Sequence, residues 1–147
     1  MNTVDTTDPA RVVLGAGRVA VGFKAWVFPR LLWRVLGMGD IGRDSRARYL
    51  TRLFGVRDVA LGGAVLIAED DAALRRAVDL GIAVDCIDVA AAVLSIRRGG
   101  RIRGALVGGA GAAAFAGLGL WIRQRLVNAP PPVVFVNDVV DYGSGPR

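Results

Sequence analysis

The chain has 147 residues, a length typical of one domain. It is 53% hydrophobic and 22% charged, with a mean hydropathy of +0.44, which excludes a disordered chain and is high for a small soluble domain. It contains no His and a single Cys, Cys86, so His-based catalytic triads, His-ligated metals, cysteine zinc sites and intramolecular disulfides are excluded. The net charge is +6, which points to nucleic acid or an anionic membrane surface as the partner.

The positions of the basic residues distinguish between nucleic acid and a membrane as the expected partner. Nucleic-acid-binding proteins gather cations on a polar face, often beside exposed aromatic side chains. Here ten Arg residues fall into two clusters that lie between apolar segments: Arg30, Arg34, Arg43, Arg46, Arg48 and Arg52, then Arg97, Arg98, Arg101 and Arg103. Cytoplasmic loops of membrane proteins have this arrangement. We therefore expect the lipid bilayer, and no nucleic acid, as a partner.

The first third of the chain predicts a disordered lead and one helix followed by a shorter one. Residues 1–9 are polar and acidic, and they lack the basic start of a cleaved signal peptide. An apolar segment spans about residues 10–28 and ends at Pro29, because proline cannot continue the helical hydrogen bonds. Residues 30–37 then predict a short interfacial helix, since Trp and Phe beside Arg are typical of the headgroup region.

Three further apolar segments follow, at about residues 45–68, 72–96 and 102–123. Ser45 is the expected N-cap of the first of them. Residues 104–122 contain no charge, and this length is close to what a helix needs to cross a bilayer. The tail, residues 126–147, begins with a proline run and ends rich in Gly, Ser and Pro, so it is expected to be extended or disordered.

These segments predict an all-α fold, an antiparallel four-helix transmembrane bundle over residues 10–125 with a short interfacial helix after the first span. Only the fourth segment passes a strict hydropathy test, so the other three require their charges to face the bundle interior. A soluble bundle is the alternative. The excess of Arg places segments 30–52 and 97–103 in the cytoplasm and both termini outside a cell membrane. The inverted topology stays open as well.

Several short motifs resemble a known group of proteins. They are Gly15-x-x-Arg18-x-x-x-Gly22, the terminating Pro29, Arg52-Leu-Phe-Gly-x-Arg57-Asp58 and Asp85-x-x-Asp88. Over about residues 10–122 the chain resembles small, uncharacterised four-helix membrane proteins of high-GC bacteria that are distantly DoxX-like. This family has no established activity, so the resemblance implies a fold and a membrane location and no chemistry.

The glycines of the first segment suggest a dinucleotide-binding loop, with Gly15 and Gly17 after an apolar run. Such a loop requires a second strand that ends in an acidic residue about 20 positions later. No second strand follows. Gly15 and Gly22 are one heptad apart, and this spacing favours the close approach of a neighbouring helix. No nucleotide or other cofactor is expected.

Charged residues within the spans are the candidate functional site. Asp85 and Asp88 share one helix face, and acids inside a membrane span face the interior or a water path. Depth along the helices pairs Arg18 with Asp85. It also predicts a second cluster of Lys24 and Arg57 with Asp58 and Asp88. Two interpretations stay open, namely buried ion pairs that determine helix register, or a path for a proton, ion or solute.

Two further patterns concern packing and metals. Small residues four apart in the last segment predict close helix packing and permit association with a second copy. They form two stripes, represented by Gly104, Gly108 and Ala112 and by Gly109 and Gly117. A metal–phosphate site at the two membrane acids would need further carboxylates at the same depth, and Asp58 alone is too few, so no metal is expected. Cys86 is expected in the apolar core.

The sequence thus predicts a small non-enzymatic integral membrane protein with no catalytic residues, a helper or subunit of a membrane complex that contacts itself or another membrane protein. The alternative is a small proton- or ion-coupled transporter that uses Asp85 and Asp88.

Overall fold

A computed structural model describes residues 8–35, 43–99 and 102–128. These residues are all-α and form five helices: α1 (Pro9–Val27), α2 (Pro29–Val35), α3 (Ser45–Ile67), α4 (Asp71–Arg97) and α5 (Ile102–Asn128). The four long helices lie on the four apolar segments, and α2 overlaps the short helix expected at residues 30–37, of which residues 36 and 37 lie outside the described part. A proline is accommodated at the first position of α1 and of α2 because no helical donor is needed there.

Aspartates cap the starts of three helices. The Asp8 side chain accepts a hydrogen bond of 3.0 Å from the Ala10 backbone N–H, so residues 8 and 9 belong to the helix start and not to a disordered lead. Asp44, and not Ser45, is the N-cap of α3, since its carboxylate accepts from the Arg46 N–H at 2.9 Å. Asp70 caps α4 in the same way. Residues 1–7 lie outside the described part of the chain.

The last helix is longer than the sequence predicted. α5 continues to Asn128, so residues 126–128 are helical and not part of an extended tail. Leu126 packs against the apolar core, and its carbonyl accepts a hydrogen bond of 3.4 Å from Arg75. No helix-breaking residue precedes the proline run, which explains the extension. The rest of the predicted tail, residues 129–147, lies outside the described residues.

Helices α1 and α3 are antiparallel with their backbones in contact. A Cβ atom added to Gly22 would lie 2.5 Å from the carbonyl oxygen of Gly55, and one added to Gly62 would lie 2.5 Å from that of Gly15. Both helices therefore carry glycines one heptad apart, and each glycine faces one on the other helix. The close approach expected at Gly15 and Gly22 is confirmed, and the partner is α3.

Helices α4 and α5 form the second antiparallel pair. Gly109 lies beside Ala92, and Gly119 beside Ile82. The buried residues of α5 are Ala112, Gly119 and Ile122, while Gly104 is half-buried.

The predicted four-residue stripes of α5 are therefore only partly correct. Gly108 and Gly117 face open space, since an added Cβ would meet nothing within 4 Å at either position. The contact face of α5 repeats by heptads, as from Ala112 to Gly119. Two helices that pack at a small angle contact each other at positions that repeat every seven residues. Residues four apart are offset around the helix, so a stripe of them soon leaves the contact face.

The two helix pairs join along a smaller set of contacts, and an apolar core lies toward one end of the bundle. Leu14, Val65, Val78 and Ile122 are among its buried members. Only residues 68–70 separate α3 from α4, so these helices are antiparallel as well. The described parts of the two basic segments consequently lie at the same end of the bundle. We call this the basic end, and the end that holds the connection between α3 and α4 the opposite end.

One helix in the described part of the chain, α5, is long and apolar enough to cross a membrane. Only 17% of its most apolar stretch is buried, so α5 does not resemble the central helix of a soluble core. The sequence had likewise singled out this segment alone.

Candidate functional site

All four long helices meet around the guanidinium group of Arg18. Arg18 lies midway along α1 and is 2% exposed. Its Nη2 forms an ion pair with Asp85 Oδ2 on α4, and its Nη1 lies 3.5 Å from Asp58 Oδ1 on α3. Phe115 of α5 covers the group, with Arg18 Cζ 4.7 Å from the ring centroid. A Cβ at Gly81 would approach Nη2 to 3.3 Å, so glycine leaves room for the guanidinium against α4.

A second guanidinium extends this arrangement. Arg57 Nη1 donates to Asp88 Oδ1 at 2.8 Å, and Nη2 lies 2.7 Å from Asp88 Oδ2 and 3.4 Å from Asp58 Oδ1. Arg57 Cζ also lies 4.2 Å from the ring centroid of Phe54. Asp58 therefore connects the two arginines. We call the following five residues the charge network: Arg18, Arg57, Asp58, Asp85 and Asp88. When all are ionised, its two cations and three anions leave one negative charge.

The structure brings together five of the six residues that the sequence selected, and Lys24 is the exception. Lys24 is exposed and makes no ion pair within the described part of the chain. It is six residues after Arg18, which places it about 120° away around α1. The expected pairing of Lys24 with Asp58 and Asp88 is wrong, because depth along a helix does not specify rotation about its axis.

The inner half of the charge network is closed to solvent. Arg18, Asp58 and Asp85 are each 1–2% exposed. Two clefts near the ends of the bundle are lined by other residues. By contrast, the side chains of Arg57 and Asp88 are 30% and 23% exposed. The network thus has a sealed centre and one partly open side.

Arg11 is a further buried arginine, and the sequence pattern did not indicate it. It is 1% exposed, and its guanidinium donates to three carbonyls at the end of α3. The bonds run from Nε to Val65 O at 2.9 Å, and from Nη2 to Leu66 O at 2.7 Å and to Ala68 O at 2.6 Å. The last carbonyls of a helix lack internal partners and favour a cation. The last turn of α3 contains no basic residue of its own. This absence was the one sign in the sequence that a cation from another helix caps α3.

Replacing Arg11 with methionine is expected to lower the free energy of unfolding by about 1–2 kcal/mol, because the α3 carbonyls lose a charged donor while water at the bundle end replaces part of it. Arg76→Met is the matched control, since Arg76 is exposed and its hydrogen bond among the described residues is within its own helix, to Ala72 O. Thermal unfolding of both variants measures the difference. Equal effects of the two changes would contradict a role of Arg11 in capping α3.

Two further expectations concern metals and Cys86. Within the described residues, no group of three or more His, Cys, Asp or Glu side chains could hold a metal ion.

Cys86 is exposed on α4, so the expectation that it lies in the apolar core is wrong. Asp85, its neighbour, takes the inward position because its charge has a partner there.

Comparisons of the chain with protein-family models, curated proteins and solved structures give no match.

Proposed function

We propose that the chain is a small integral membrane protein whose helices α1, α3, α4 and α5 cross the bilayer while α2 lies at the interface. Its role is structural, as a helper or subunit of a membrane complex, and the charge network holds its helices in register. The distant DoxX-like resemblance agrees with this fold and location. The observation that carries the proposal is the distribution of polar and apolar side chains.

This distribution differs from that in a water-soluble domain, although an apolar core is present. Four of the largest fully buried side chains are ionisable, namely Arg11, Arg18, Asp58 and Asp85. Large apolar side chains are outside instead, with Ile67 77%, Ile87 67% and Leu50 63% exposed. In water, Arg and Asp are rarely fully buried even when they are paired, and large exposed apolar surface is unfavourable. Lipid around the bundle makes both features favourable, since it solvates the apolar surface and leaves ion pairs inside.

The closed centre of the charge network supports a structural role. Arg18 ties α1 to α3 and α4 through paired charges, and an unpaired partner would be costly in a site of low dielectric constant. Rotation or sliding of one helix would break these pairs, so the network favours one arrangement of the bundle.

The partly open side supports a role within a complex. Arg57 is near the middle of α3, and its ion pair with Asp88 is accessible from outside the bundle. Charges that face hydrocarbon at mid-bilayer are unfavourable. A second membrane protein, or a second copy of the chain, that covers this side would remove the contact between lipid and the ion pair.

A proton- or ion-coupled carrier is the second candidate, and the charge balance favours it. The charge network holds three carboxylates and two guanidiniums, so it accommodates one additional cation or proton. Asp88 is the carboxylate of the network on its partly open side, which is where such an ion would enter.

The topology of the bundle tests the membrane proposal. In a Cys86→Ala parent, single cysteines at Arg46 and Arg98 are expected to react with an impermeant thiol reagent from one side of the membrane, and a cysteine at Glu69 from the other. The reason is that the first two positions belong to the basic end and the third to the opposite end. The cysteine-free parent is the control for background labelling. Release of the protein by a carbonate wash, or labelling of Arg46→Cys and Arg98→Cys from different sides, would contradict four crossings.

A further inference from the structure

A cleft of about 750 Å³ opens at the basic end, between α2 and the first half of α3. We call it the arginine cleft. Its polar lining comprises four arginines and the residues Ser45 and Tyr49; the arginines are Arg30, Arg34, Arg48 and Arg52. Among the described residues no carboxylate lines the cleft, and none of the ion pairs in that part of the chain involves these arginines. Four neighbouring cations favour the binding of an anion.

The arginine cleft is held in shape by contacts beneath it. Trp33 Nε1 of α2 donates to Thr51 Oγ1 of α3 at 2.9 Å, and this hydroxyl donates to Ala47 O at 2.7 Å. Thr51 and Pro29 are buried, so α2 is attached to α3 by its indole and by the turn that follows α1. The two walls that carry the arginines are therefore positioned before any ligand arrives, which lowers the entropic cost of binding.

We infer that the arginine cleft binds the phosphate-bearing headgroup of an anionic phospholipid. Guanidinium groups match phosphate oxygens in charge and in hydrogen-bond geometry. The cleft also has an apolar wall of Val27, Phe28 and Leu31, of which Phe28 and Leu31 are each 52% exposed. A free phosphate makes no apolar contact with such a wall, whereas the first methylene groups of a lipid chain would pack on it.

The position of the arginine cleft along the bundle agrees with this ligand. The cleft lies where α1 ends and α3 begins, which is the level of the headgroups at the basic end if the helices cross a bilayer. The inference rests on the proposed membrane location in this respect. Anionic lipids are concentrated in the cytoplasmic leaflet, which is the side expected for the basic end.

The test compares lipids and variants by thermal unfolding in a zwitterionic detergent. Phosphatidylglycerol added to the micelles is expected to raise the midpoint of the full chain, whereas phosphatidylcholine and inorganic phosphate leave it unchanged. Arg48→Gln with Arg52→Gln is expected to weaken the apparent affinity for phosphatidylglycerol about tenfold or more, since each arginine at a membrane surface contributes a several-fold factor. Arg30→Gln with Arg34→Gln removes the opposite wall and is expected to have a similar effect.

The matched control is Arg97→Gln with Arg98→Gln, which removes the same charge at the same end but outside the cleft. This pair is expected to retain nearly native affinity. Equal losses in the cleft and control pairs would overturn a specific site in favour of a general basic surface. Stabilisation by inorganic phosphate equal to that by phosphatidylglycerol would overturn the lipid as the ligand. A failure of the membrane proposal would be visible separately, because the protein would then be purified without detergent.

Discussion

Replacement of Arg18 with methionine is expected to lower the free energy of unfolding by about 3–5 kcal/mol, because it leaves the carboxylate of Asp85 buried without a cation and removes one of the two cations beside Asp58. Thermal unfolding in detergent measures the loss. Arg123→Met is the control, since Arg123 forms an ion pair of 2.6 Å with Asp79 while both side chains are more than 40% exposed. An exposed pair of this kind contributes at most about 1 kcal/mol.

The double variant Arg18→Met with Asp85→Ala is expected to recover much of this loss. Asp58 then keeps Arg57 as a partner at 3.4 Å, so no carboxylate of the charge network is without a cation. A cycle of the single and double variants gives the coupling energy between the two residues. A coupling energy near zero would contradict the pairing. If the double variant folds well and reconstituted vesicles lose an ion flux that the native protein shows, the carrier is favoured over the structural role.

The second large effect is expected at the contact between α1 and α3. Gly62→Ala is expected to lower the free energy of unfolding by about 1–3 kcal/mol, because its new methyl group would meet the Gly15 carbonyl oxygen at 2.5 Å and Arg18 Cβ at 2.8 Å. The obstacle at Gly15 is backbone, so the helices themselves must separate. Thermal unfolding in the same detergent measures this loss.

The neighbouring glycine provides the control. A Cβ at Gly63 would meet nothing within 4 Å, so Gly63→Ala is expected to stabilise the helix by about 0.5–1 kcal/mol through its better helix propensity. The same chemical change at adjacent positions should therefore have opposite signs. If Gly62→Ala proved as stabilising as Gly63→Ala, the close backbone contact between α1 and α3 would be refuted.

The amino-acid sequence by itself determined where the helices lie, and it indicated the ion pair between Arg18 and Asp85. The predicted segments 10–28 and 45–68 match α1 and α3 to within one residue at each end, because caps and helix breakers such as Asp44 and Pro29 act locally. The pairing of Arg18 with Asp85 followed from depth, which the constant rise of an α-helix converts directly into residue number. The heptad spacing of Gly15 and Gly22 indicated a close helix contact, because residues seven apart lie on the same face of a helix.

Only the tertiary structure decided which face of each helix points inward. It placed Lys24 outside the charge network, Gly108 and Gly117 outside the helix contacts, and Arg11 inside the bundle against the end of α3. In a helix with one polar and one apolar face, the pattern itself reveals the inward side. These helices are apolar over much of their circumference, so rotation about the axis is set by glycine contacts and ion pairs between distant segments, and these interactions become apparent only when the helices are packed together.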